Sequence, residues 1–280
     1  MQLFDSHFHY YNKKIDKKTK QETLISPQEY FESIKSDELK YMLCCGGNLA
    51  TTLMSQQFAE EIPNSYFAAG VHPHEAGLFA KKFENNISLA VAEFQQFIGH
   101  EKLVAVGEIG LDYFYEHSER KVQCAVLEGF LEFALENNLP AIIHCRDRDE
   151  TNNALAYKDA YSLLSDFKQS NGRFEVHCFA GTPHWCDEFL ALDAMVGISG
   201  IITFPKAQNI RELLPLIPDE RLLIETDSPY LAPIPYRGKE NKPSYVIEVA
   251  RKIAEEKAMN LEDVVELTTK NALSFFKIEK

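Results

Sequence analysis

Six side chains of the sequence are of the types that bind metal ions, and each lies at or just after the end of an apolar run. Two are the histidines of DSHFH near the start of the chain, and the whole set is His7, His9, Glu108, His144, His177 and Asp227. Imidazole nitrogen suits zinc, iron and nickel, whereas carboxylate oxygen also suits magnesium and manganese. One tetrahedral ion takes only about four ligands. Six convergent ligands therefore predict two divalent ions, with Zn²⁺, Mg²⁺ and Mn²⁺ as the candidates.

The alternation of side chains along a strand predicts which of these groups face the same way. Residues two apart in a strand point to the same side of the sheet. We therefore expect Asp5, His7 and His9 to share one face of the first strand. The opposite face takes three aromatic residues, Phe4, Phe8 and Tyr10. If these aromatic side chains pack against helices, both histidines point into one polar site.

Two carboxylates of the set, Glu108 and Asp227, are the predicted catalytic residues. Glu108 lies near the middle of the ligand order and is the natural bridge between two ions about 3.5–4 Å apart. Asp227 could bind an ion and also accept the proton of an attacking water. Alternation places Glu225 on the face of Asp227, where it could orient a histidine ligand or form a structural pair with an arginine. The same rule places Val106 on the face of Glu108.

Five further residues are candidates for contacts with a substrate, and each also has a structural interpretation. They are His72, His74, Arg146, Arg237 and Glu225. The two histidines end the third apolar run and either bind phosphate or cap the mouth of the fold. The two arginines are candidate phosphate clamps or partners in structural salt bridges. Three aromatic residues beyond strand ends could stack on bases or pack in loops, namely Tyr113, Phe179 and Tyr230.

Eight short apolar runs alternate with helical patterns along the chain. The runs span residues 2–9, 41–47, 66–74, 103–112, 140–147, 174–181, 195–204 and 221–233. Helices are predicted over 119–138, 243–257 and 261–276, and another begins with Thr182 as N-cap and Pro183 as its first residue. This alternation predicts an α/β fold, a (β/α)8 TIM barrel, with a doubly wound open sheet as the alternative. In a barrel, catalytic groups lie at the C-terminal ends of strands.

The charge balance limits which partners the protein attracts. The 280 residues carry a net charge of −13, and the sequence pI is near 5.2. Such a chain does not attract nucleic acid by its overall field, so a phosphate site needs positive charge from metal ions or a few basic residues. The lysine-rich segment NKKIDKKTK, residues 12–20, follows the first strand. We interpret it either as a local positive field for DNA or as a solvated loop.

Two absences in the sequence favour a cytoplasmic protein. The six cysteines include no C-x-x-C pair, which favours buried reduced thiols. The chain does not begin with a basic segment and an apolar run, and no stretch approaches about 18 apolar residues. We therefore expect no membrane segment. We also expect a single domain over residues 1–280, and a monomer is favoured.

Several motifs together resemble the TatD family of metal-dependent deoxyribonucleases, within the amidohydrolase-type barrels. In order along the chain they are GVHPHEA (70–76), VGEIGLDYF (106–114), NLPAIIHCRD (138–147), VHCFAGT (176–182), GISGIITF (197–204) and IETDSPYLAPIPYRGKENKP (224–243). The similarity covers nearly the whole chain. Two places depart from the family pattern: Glu240 stands where members often carry a basic residue, and residues 11–26 differ from the usual segment after the first strand.

The resemblance implies a two-ion centre in which one carboxylate joins two groups of ligands. One ion would be held by His7, His9, Asp227 and Glu108, and the other by Glu108, His144 and His177. In TatD-like proteins this glutamate takes the place of the carbamylated lysine of other amidohydrolase-type barrels. The implied reaction is hydrolysis of phosphodiester bonds in DNA, stepwise from 3′ ends. The acidic net charge disfavours tight binding of a duplex, so we expect single-stranded or frayed DNA as the substrate.

Two other functions stay open at this point. The same site could hydrolyse a small phosphoester, lactone or amide if a closed apolar pocket, rather than an open basic mouth, surrounds it. The protein could instead be a barrel or binding protein that metal merely stabilises. The complete ligand set argues against this third function, because a structural zinc needs only four ligands and no open position.

Overall fold

Eight parallel strands form a nearly closed barrel, which is the architecture that the sequence predicts. The computed structural model describes residues 1–15 and 22–279. Within these residues the strands are, in chain order, β1 (Leu3–Phe8), β2 (Lys13–Ile15), β3 (Glu22–Leu24), β4 (Leu39–Cys45), β5 (Ser65–Ala69), β6 (Leu103–Asp112), β7 (Ala141–Arg146), β8 (Phe174–Val176), β9 (Met195–Ile198) and β10 (Leu222–Ile224). The barrel sheet has the order β1-β4-β5-β6-β7-β8-β9-β10, and β2 and β3 form a separate antiparallel hairpin.

Hydrogen bonds between the end of β1 and the segment after β10 close the barrel. Phe8 forms a parallel bridge with Ser228. The backbone N–H of His9 donates to the carbonyl of Ser228 at 2.8 Å. The backbone N–H of Asp227 donates to the carbonyl of His7 at 2.9 Å. Because the last strand returns to the first, the predicted (β/α)8 barrel is confirmed and the doubly wound alternative is wrong.

Helices connect consecutive strands and cover the outside of the barrel. In the described part of the chain they are α1 (Pro27–Ile34), α2 (Leu49–Glu61), α3 (Ala76–Lys82), α4 (Ile87–Ala92), α5 (Arg120–Glu136), α6 (Leu155–Gln169), α7 (Pro183–Ala191), α8 (Gln208–Arg211), α9 (Val246–Lys257) and α10 (Leu261–Phe275). The helices predicted over 119–138, 243–257 and 261–276 correspond to α5, α9 and α10. Thr182 caps α7 as predicted, because its hydroxyl oxygen accepts from the backbone N–H of Trp185 at 3.4 Å.

The main hydrophobic core lies between the barrel strands and the surrounding helices. On α5, Val126, Phe130 and Ala134 recur at helical spacing and are buried in this layer. Burial of a large apolar side chain is worth about 1.5–3 kcal/mol relative to exposure. A core of this kind holds the strands in place, and with them the polar side chains at the strand ends.

The simple alternation predicted for β1 is broken. Phe4 packs with Leu43 in the cluster that fills the inside of the barrel at the strands' N-terminal ends. Phe8 instead packs with Phe58 of α2 on the outside. The pairing of β1 with β4 changes register between Asp5 and Phe8, so residues before and after that point no longer follow one period. The prediction that Phe4 shares a face with Phe8 is therefore wrong.

β6 departs from alternation in the same way. Its pairing with β7 changes register between Val106 and Ile109. Both of these residues belong to the core layer between strands and helices. Glu108 instead points into the mouth of the barrel. The prediction that Val106 lies on the face of Glu108 is therefore wrong, because the irregularity in β6 separates them.

The hairpin of β2 and β3 includes the start of the lysine-rich segment 12–20. Lys13 Nζ lies 3.0 Å from Glu22 Oε2, and both side chains are exposed. Residues 16–20 of the segment lie outside the described residues. The hypothesis of a positive field from this segment therefore stays a prediction.

Two expectations about the whole chain can be compared with the fold. All six cysteines have free thiols, three of them buried and three partly buried. No helix in the described ranges is both long enough and apolar enough to cross a membrane.

Candidate metal centre

Five strand ends bring the six predicted metal ligands together at the mouth of the barrel. They come from the ends of β1, β6 and β7 and from the residues just after β8 and β10, and are His7, His9, Glu108, His144, His177 and Asp227. The convergence follows from the fold, because the C-terminal ends of all the parallel strands meet on one side of the barrel. Asp5, which the strand pattern groups with the histidines, lies outside this cluster.

The first half-site consists of His7, His9 and Asp227, and it faces one oxygen of Glu108. Glu108 Oε2 lies 3.5 Å from Nε2 of His7 and 3.5 Å from Nε2 of His9. The two Nε2 atoms are 3.3 Å apart. Asp227 Oδ1 lies 3.4 Å from His9 Nε2 and 4.0 Å from His7 Nε2. The atoms of His7, His9 and Glu108 are close enough to share one ion, and Asp227 lies beside them.

The second half-site consists of His144 and His177, and it faces the other oxygen of Glu108. Glu108 Oε1 lies 2.9 Å from Nδ1 of His144 and 2.7 Å from Nε2 of His177. Those two nitrogens are 3.3 Å apart. Distances this short between several potential ligand atoms are what a shared cation would account for. The donor set, imidazoles with one carboxylate offered to both sides, fits two divalent ions.

The electrostatics of the central groups are divided. Burial alone would lower the pKa of His9, His144 and His177, but contacts with Asp227, Asp112 and Glu108 raise it, so metal binding must displace protons from these imidazoles. Burial alone would raise the pKa of Glu108, but the charge of His177 and hydrogen bonds from His144 and His177 hold it well below its usual value. Burial lowers the pKa of His7, and burial lowers that of His72 to about 3. The carboxylate is therefore ionised, and these two imidazoles are neutral at pH 7. Both are the forms in which the side chains bind metals.

In each half-site, the second ring nitrogen of a histidine contacts a different kind of group. In the first, His9 Nδ1 lies 2.9 Å from the carbonyl oxygen of Cys45. In the second, His177 Nδ1 lies 3.4 Å from Glu225 Oε1, and this oxygen also accepts from the backbone N–H of Cys178 at 2.6 Å. Glu225 is fully buried behind His177, outside the lining of the mouth. The geometry thus favours the orienting role for Glu225 over a contact with substrate.

Asp112 is a site residue that the sequence reasoning missed. Its Oδ2 lies 3.1 Å from Nε2 of His144 and 2.9 Å from Nε2 of His74. Its Oδ1 accepts from the backbone N–H groups of Phe114 and Tyr115 at 3.0 and 2.8 Å. Burial alone would raise the pKa of Asp112, but the hydrogen bonds from His144 and His74 hold it far below its usual value. The available signal was an acid at the end of an apolar run, in GLDYF.

The candidate substrate histidines lie in two different places. His72 Nε2 is 3.5 Å from Glu108 Oε1, and His72, Glu108 and His144 form one of the groups whose atoms are close enough to share an ion. His74 instead reaches Asp112, as described above. His117, which the sequence reasoning left out, lines the mouth beside His74, with ring centroids 4.6 Å apart.

The two candidate arginines differ in their relation to the mouth. Arg146 lines it, and its guanidinium lies over the ring of Phe114 at 4.3 Å. Arg237 is exposed and lies over the ring of Phe204 at 3.7 Å, away from the residues that line the mouth. The structure therefore supports Arg146, and not Arg237, as a group near a bound substrate.

The three candidate stacking residues also differ in exposure. Tyr113 and Phe179 are buried, and the hydroxyl of Tyr113 donates to Asp159 at 2.7 Å. Both therefore have the packing role. Tyr230 is 52% exposed and lines the mouth. A cavity of about 790 Å³ opens there above the candidate metal centre.

Fold and site together define a class of enzyme. A (β/α)8 barrel with histidines and carboxylates clustered at its mouth has the architecture of a metal-dependent hydrolase. A sequence model of the TatD related DNase family matches residues 4–277. The chain belongs to this family, and it is a metal-dependent hydrolase acting on ester bonds. The alternative of a barrel that metal merely stabilises is therefore wrong.

Individual relatives agree with this assignment. The metal-dependent hydrolase YabD of Bacillus subtilis (strain 168) is 33% identical over 276 residues, which cover 99% of this chain and 99% of YabD. The 3'-5' ssDNA/RNA exonuclease TatD of Escherichia fergusonii is 31% identical over 242 residues, 85% of this chain and 87% of that protein. The solved structure of YjjV, a TatD homologue from Escherichia coli K12, has the same fold, with a TM-score of 0.79 and 22% identity over 99% of this chain and 98% of that chain.

Proposed function

We propose that the protein is a nuclease that removes nucleotides from 3′ ends of single-stranded or frayed DNA with two divalent ions. The observation that carries the proposal is the position of Glu108, whose two carboxylate oxygens face separate groups of metal-binding side chains. A two-ion site of this kind suits displacement at phosphorus, because it can stabilise both the attacking and the leaving oxygen.

The residues of the two half-sites would hold the ions. His7, His9 and Asp227 would bind one ion and His144 and His177 the other, with Glu108 shared. Zn²⁺, Mg²⁺ and Mn²⁺ all fit a mixed set of imidazole and carboxylate ligands. When bound, the ions lower the pKa of water and offset the negative charge that develops on the phosphoryl oxygens.

Asp227 is the residue of the chain that would take a proton during the reaction. Its side chain is 15% exposed, more than that of Glu108 or His7, and it lines the cavity. Burial alone would raise its pKa, but the hydrogen bond from His9 holds the pKa below its usual value. The carboxylate is therefore ionised before the reaction and can accept the proton of the attacking water.

The choice of nucleic acid as substrate rests on relatives and on Arg146. The similar protein of Escherichia fergusonii is named an exonuclease of single-stranded DNA and RNA with 3′ to 5′ direction. Arg146 lines the cavity and offers planar donors to a phosphate. We propose further that residues 1–280 act as one catalytic unit, as a monomer, and in the cytoplasm.

A second candidate function is hydrolysis of a small phosphoester, lactone or amide. The cavity volume of about 790 Å³ lies within the range of about 300–1,000 Å³ for sites that enclose small molecules. The net charge of −13 also gives a long polyanion no general attraction.

Metal-free enzyme with metals added back separates these possibilities. We would treat the protein with chelator, add Mg²⁺, Mn²⁺ or Zn²⁺ separately, and follow single-stranded oligonucleotides labelled at the 3′ or the 5′ end. We expect metal-dependent release of mononucleotide from the 3′ end, with loss of product in Glu108→Ala. Glu132→Ala, an exposed glutamate on α5, is the matched control.

Other results would lead to different conclusions. Release from the 5′ end would keep the nuclease and reverse its polarity. No product from protein that has been shown to bind two ions would exclude DNA as the substrate. The same metal-loaded protein would then be assayed with small phosphoesters, lactones and amides.

A further inference from the structure

The mouth of the cavity offers little positive charge to a phosphate backbone. Among the described residues that line it, Arg146 is the one lysine or arginine. Beyond the candidate metal centre the lining includes four carboxylates, Glu75, Asp147, Asp149 and Glu150. Phosphate contacts are the usual source of affinity for nucleic acid and bring a strong dependence on salt. Among the described residues, the side chains of the lining therefore add little of this affinity to that of the proposed metal ions, and a contact with a base would add to it.

Two tyrosines form one wall of the cavity next to the first half-site. The hydroxyl oxygens of Tyr11 and Tyr230 are 3.2 Å apart, so the two side chains meet across the edge of the mouth. The ring of Tyr11 is stacked on the ring of His9, with centroids 6.2 Å apart and planes 22° apart. The ring of Tyr230 approaches His9 edge-on at 6.1 Å. The wall is thus in direct contact with a proposed metal ligand.

Both tyrosines keep a large accessible surface although they belong to an ordered contact. Tyr11 is 36% exposed and Tyr230 is 52% exposed. The backbone of Tyr230 is held from two sides: its N–H donates to the carbonyl of Asp227, and its carbonyl accepts from the side chain of Asn241. An exposed aromatic ring on a fixed backbone is a preorganised surface for stacking.

A third tyrosine of the lining, Tyr115, is 49% exposed but has a cationic neighbour as well as a histidine. Tyr115 is already packed against the guanidinium of Arg146, at 5.0 Å, and stacked on His117, at 5.6 Å with planes 4° apart. Its ring therefore has partners within the protein.

Two lysines near Tyr11 in the described part of the chain have partners as well. Tyr11, Lys13 and Lys242 all line a small neighbouring cavity of about 180 Å³. Lys13 is paired with Glu22, and Lys242 Nζ donates to the carbonyl of Ser33 at 3.0 Å. Glu240 lines the same cavity and offsets part of the positive charge. A base is therefore a better match for this wall than a phosphate.

We propose that Tyr11 and Tyr230 form a stacking platform for the base of the nucleotide at the scissile bond, so that the enzyme recognises single-stranded ends by a base more than by their phosphates. This inference rests on the proposed nuclease function and adds the residues that select its substrate. Stacking accepts any base, because every base has a π-face. A paired end must fray before its base reaches the platform, which gives single strands the advantage.

Binding of a fluorescent base tests the platform without cleavage. The probe is a short single-stranded oligonucleotide with 2-aminopurine at its 3′ terminus and phosphorothioate linkages that resist hydrolysis, added to metal-loaded protein. We expect wild-type protein to change the 2-aminopurine fluorescence by stacking. Tyr230→Ala and Tyr11→Ala should weaken binding about tenfold, at the lower end of the range for loss of one stacked base. Tyr230→Phe and Tyr11→Phe should stay close to wild type, because they keep the ring.

Hydrolysis of natural and abasic ends tests the same inference by kinetics. Wild type should prefer an oligonucleotide with a natural 3′-terminal base over one with an abasic 3′ terminus, mainly through KM. The alanine variants should lose this preference and the phenylalanine variants should keep it. Binding should also depend only weakly on salt, since few phosphates are neutralised.

The outcomes separate the platform from the nuclease function. Undiminished binding and an undiminished preference in both alanine variants would overturn the platform while the nuclease stands. Stacking that depends on the two rings, without hydrolysis of any oligonucleotide, would support the platform and remove the nuclease. No fluorescence change with wild type would overturn the platform, and the separate cleavage assay then decides the nuclease.

Discussion

The two half-sites of the proposed metal centre place their negative charge differently. In the first, Asp227 lies among the ligand atoms themselves, and the group behind His9 is a neutral backbone carbonyl. In the second, the ligands beyond the shared Glu108 are histidines. Each of these has a carboxylate behind it, Asp112 for His144 and Glu225 for His177.

This difference suggests that the two half-sites have different roles in metal binding and in the reaction. A carboxylate behind an imidazole fixes its orientation and increases its basicity, which strengthens metal binding. We therefore expect the second half-site to bind its ion with the higher affinity. The first includes a carboxylate that is partly exposed to the cavity and that we propose as the proton acceptor. We expect its ion to be the more easily lost and the more closely tied to the reaction.

Removal of the shared carboxylate is expected to have the largest effect. Glu108→Ala takes a ligand from both half-sites and leaves four histidines close together without their central negative charge. We expect both ions to be lost and hydrolysis to fall on the order of 10⁴-fold, because two-metal sites supply several kcal/mol of transition-state stabilisation. Metal content after dialysis and kcat/KM measure the two effects. Two ions bound at wild-type affinity would refute the bridge.

Substitution in the first half-site should separate metal binding from proton transfer. Asp227→Asn keeps the size of the side chain but removes its charge and basicity. We expect hydrolysis to fall about 10²–10⁴-fold, the usual contribution of a general base, while one ion remains bound. Metal titration followed by calorimetry would count the ions. Asp37→Asn, an exposed aspartate, is the matched control, and retention of full activity in Asp227→Asn would contradict the assigned role.

Substitution behind the second half-site should have a smaller effect. Asp112→Asn keeps an oxygen that can accept from Phe114 and Tyr115, so the turn is preserved, but removes the charge beside His144. We expect the affinity for the second ion to fall about 10–100-fold. Competition with a chelator of known affinity measures this. An equal loss of affinity for both ions would show that Asp112 does not act through His144.

Asp5 should affect stability and leave the metal centre in place. Its Oδ1 accepts from the backbone N–H of Thr226 at 2.8 Å, and its Oδ2 lies 2.6 Å from the Thr226 hydroxyl, which joins β1 to the chain after β10. Asp5→Ala leaves that buried N–H unpaired and should lower the free energy of unfolding by about 1–3 kcal/mol. Denaturant unfolding measures the change, with Asp5→Asn as the milder control. Loss of a bound ion in Asp5→Ala would instead indicate that Asp5 takes part in metal binding.

Much of the fold could be predicted because its signals are local. Each barrel strand is a short apolar run, and α5, α9 and α10 have clear helical spacing with recognisable ends. The ligand types could also be predicted, because His144 and His177 are unusual residues at the ends of otherwise apolar segments. Local patterns could not predict to which side of the sheet the side chains of Phe4 and Val106 point. Those depend on register changes in the pairing with a neighbouring strand.

The surroundings of the residues near the site also depend on contacts between distant parts of the chain. The sequence analysis did not single out Asp112, because only the closed barrel brings it to His144 and His74. Arg237 looked like a phosphate clamp because of its loop, but it is exposed and lies over Phe204. Glu225 shares a strand end with Asp227, yet it is fully buried behind His177.

The sequence by itself determined the eight strands of the barrel, several of its helices and the chemical types of the proposed ligands, but not the hairpin of β2 and β3. These follow from hydrophobic periodicity and residue chemistry, which act over a few neighbouring positions. Only the tertiary structure decided which oxygen of Glu108 faces which histidines, and which acids are ligands and which lie behind them. The reason is geometric. Barrel closure and strand register set distances between residues far apart in the chain, and a shift of one residue turns a side chain from the mouth to the core.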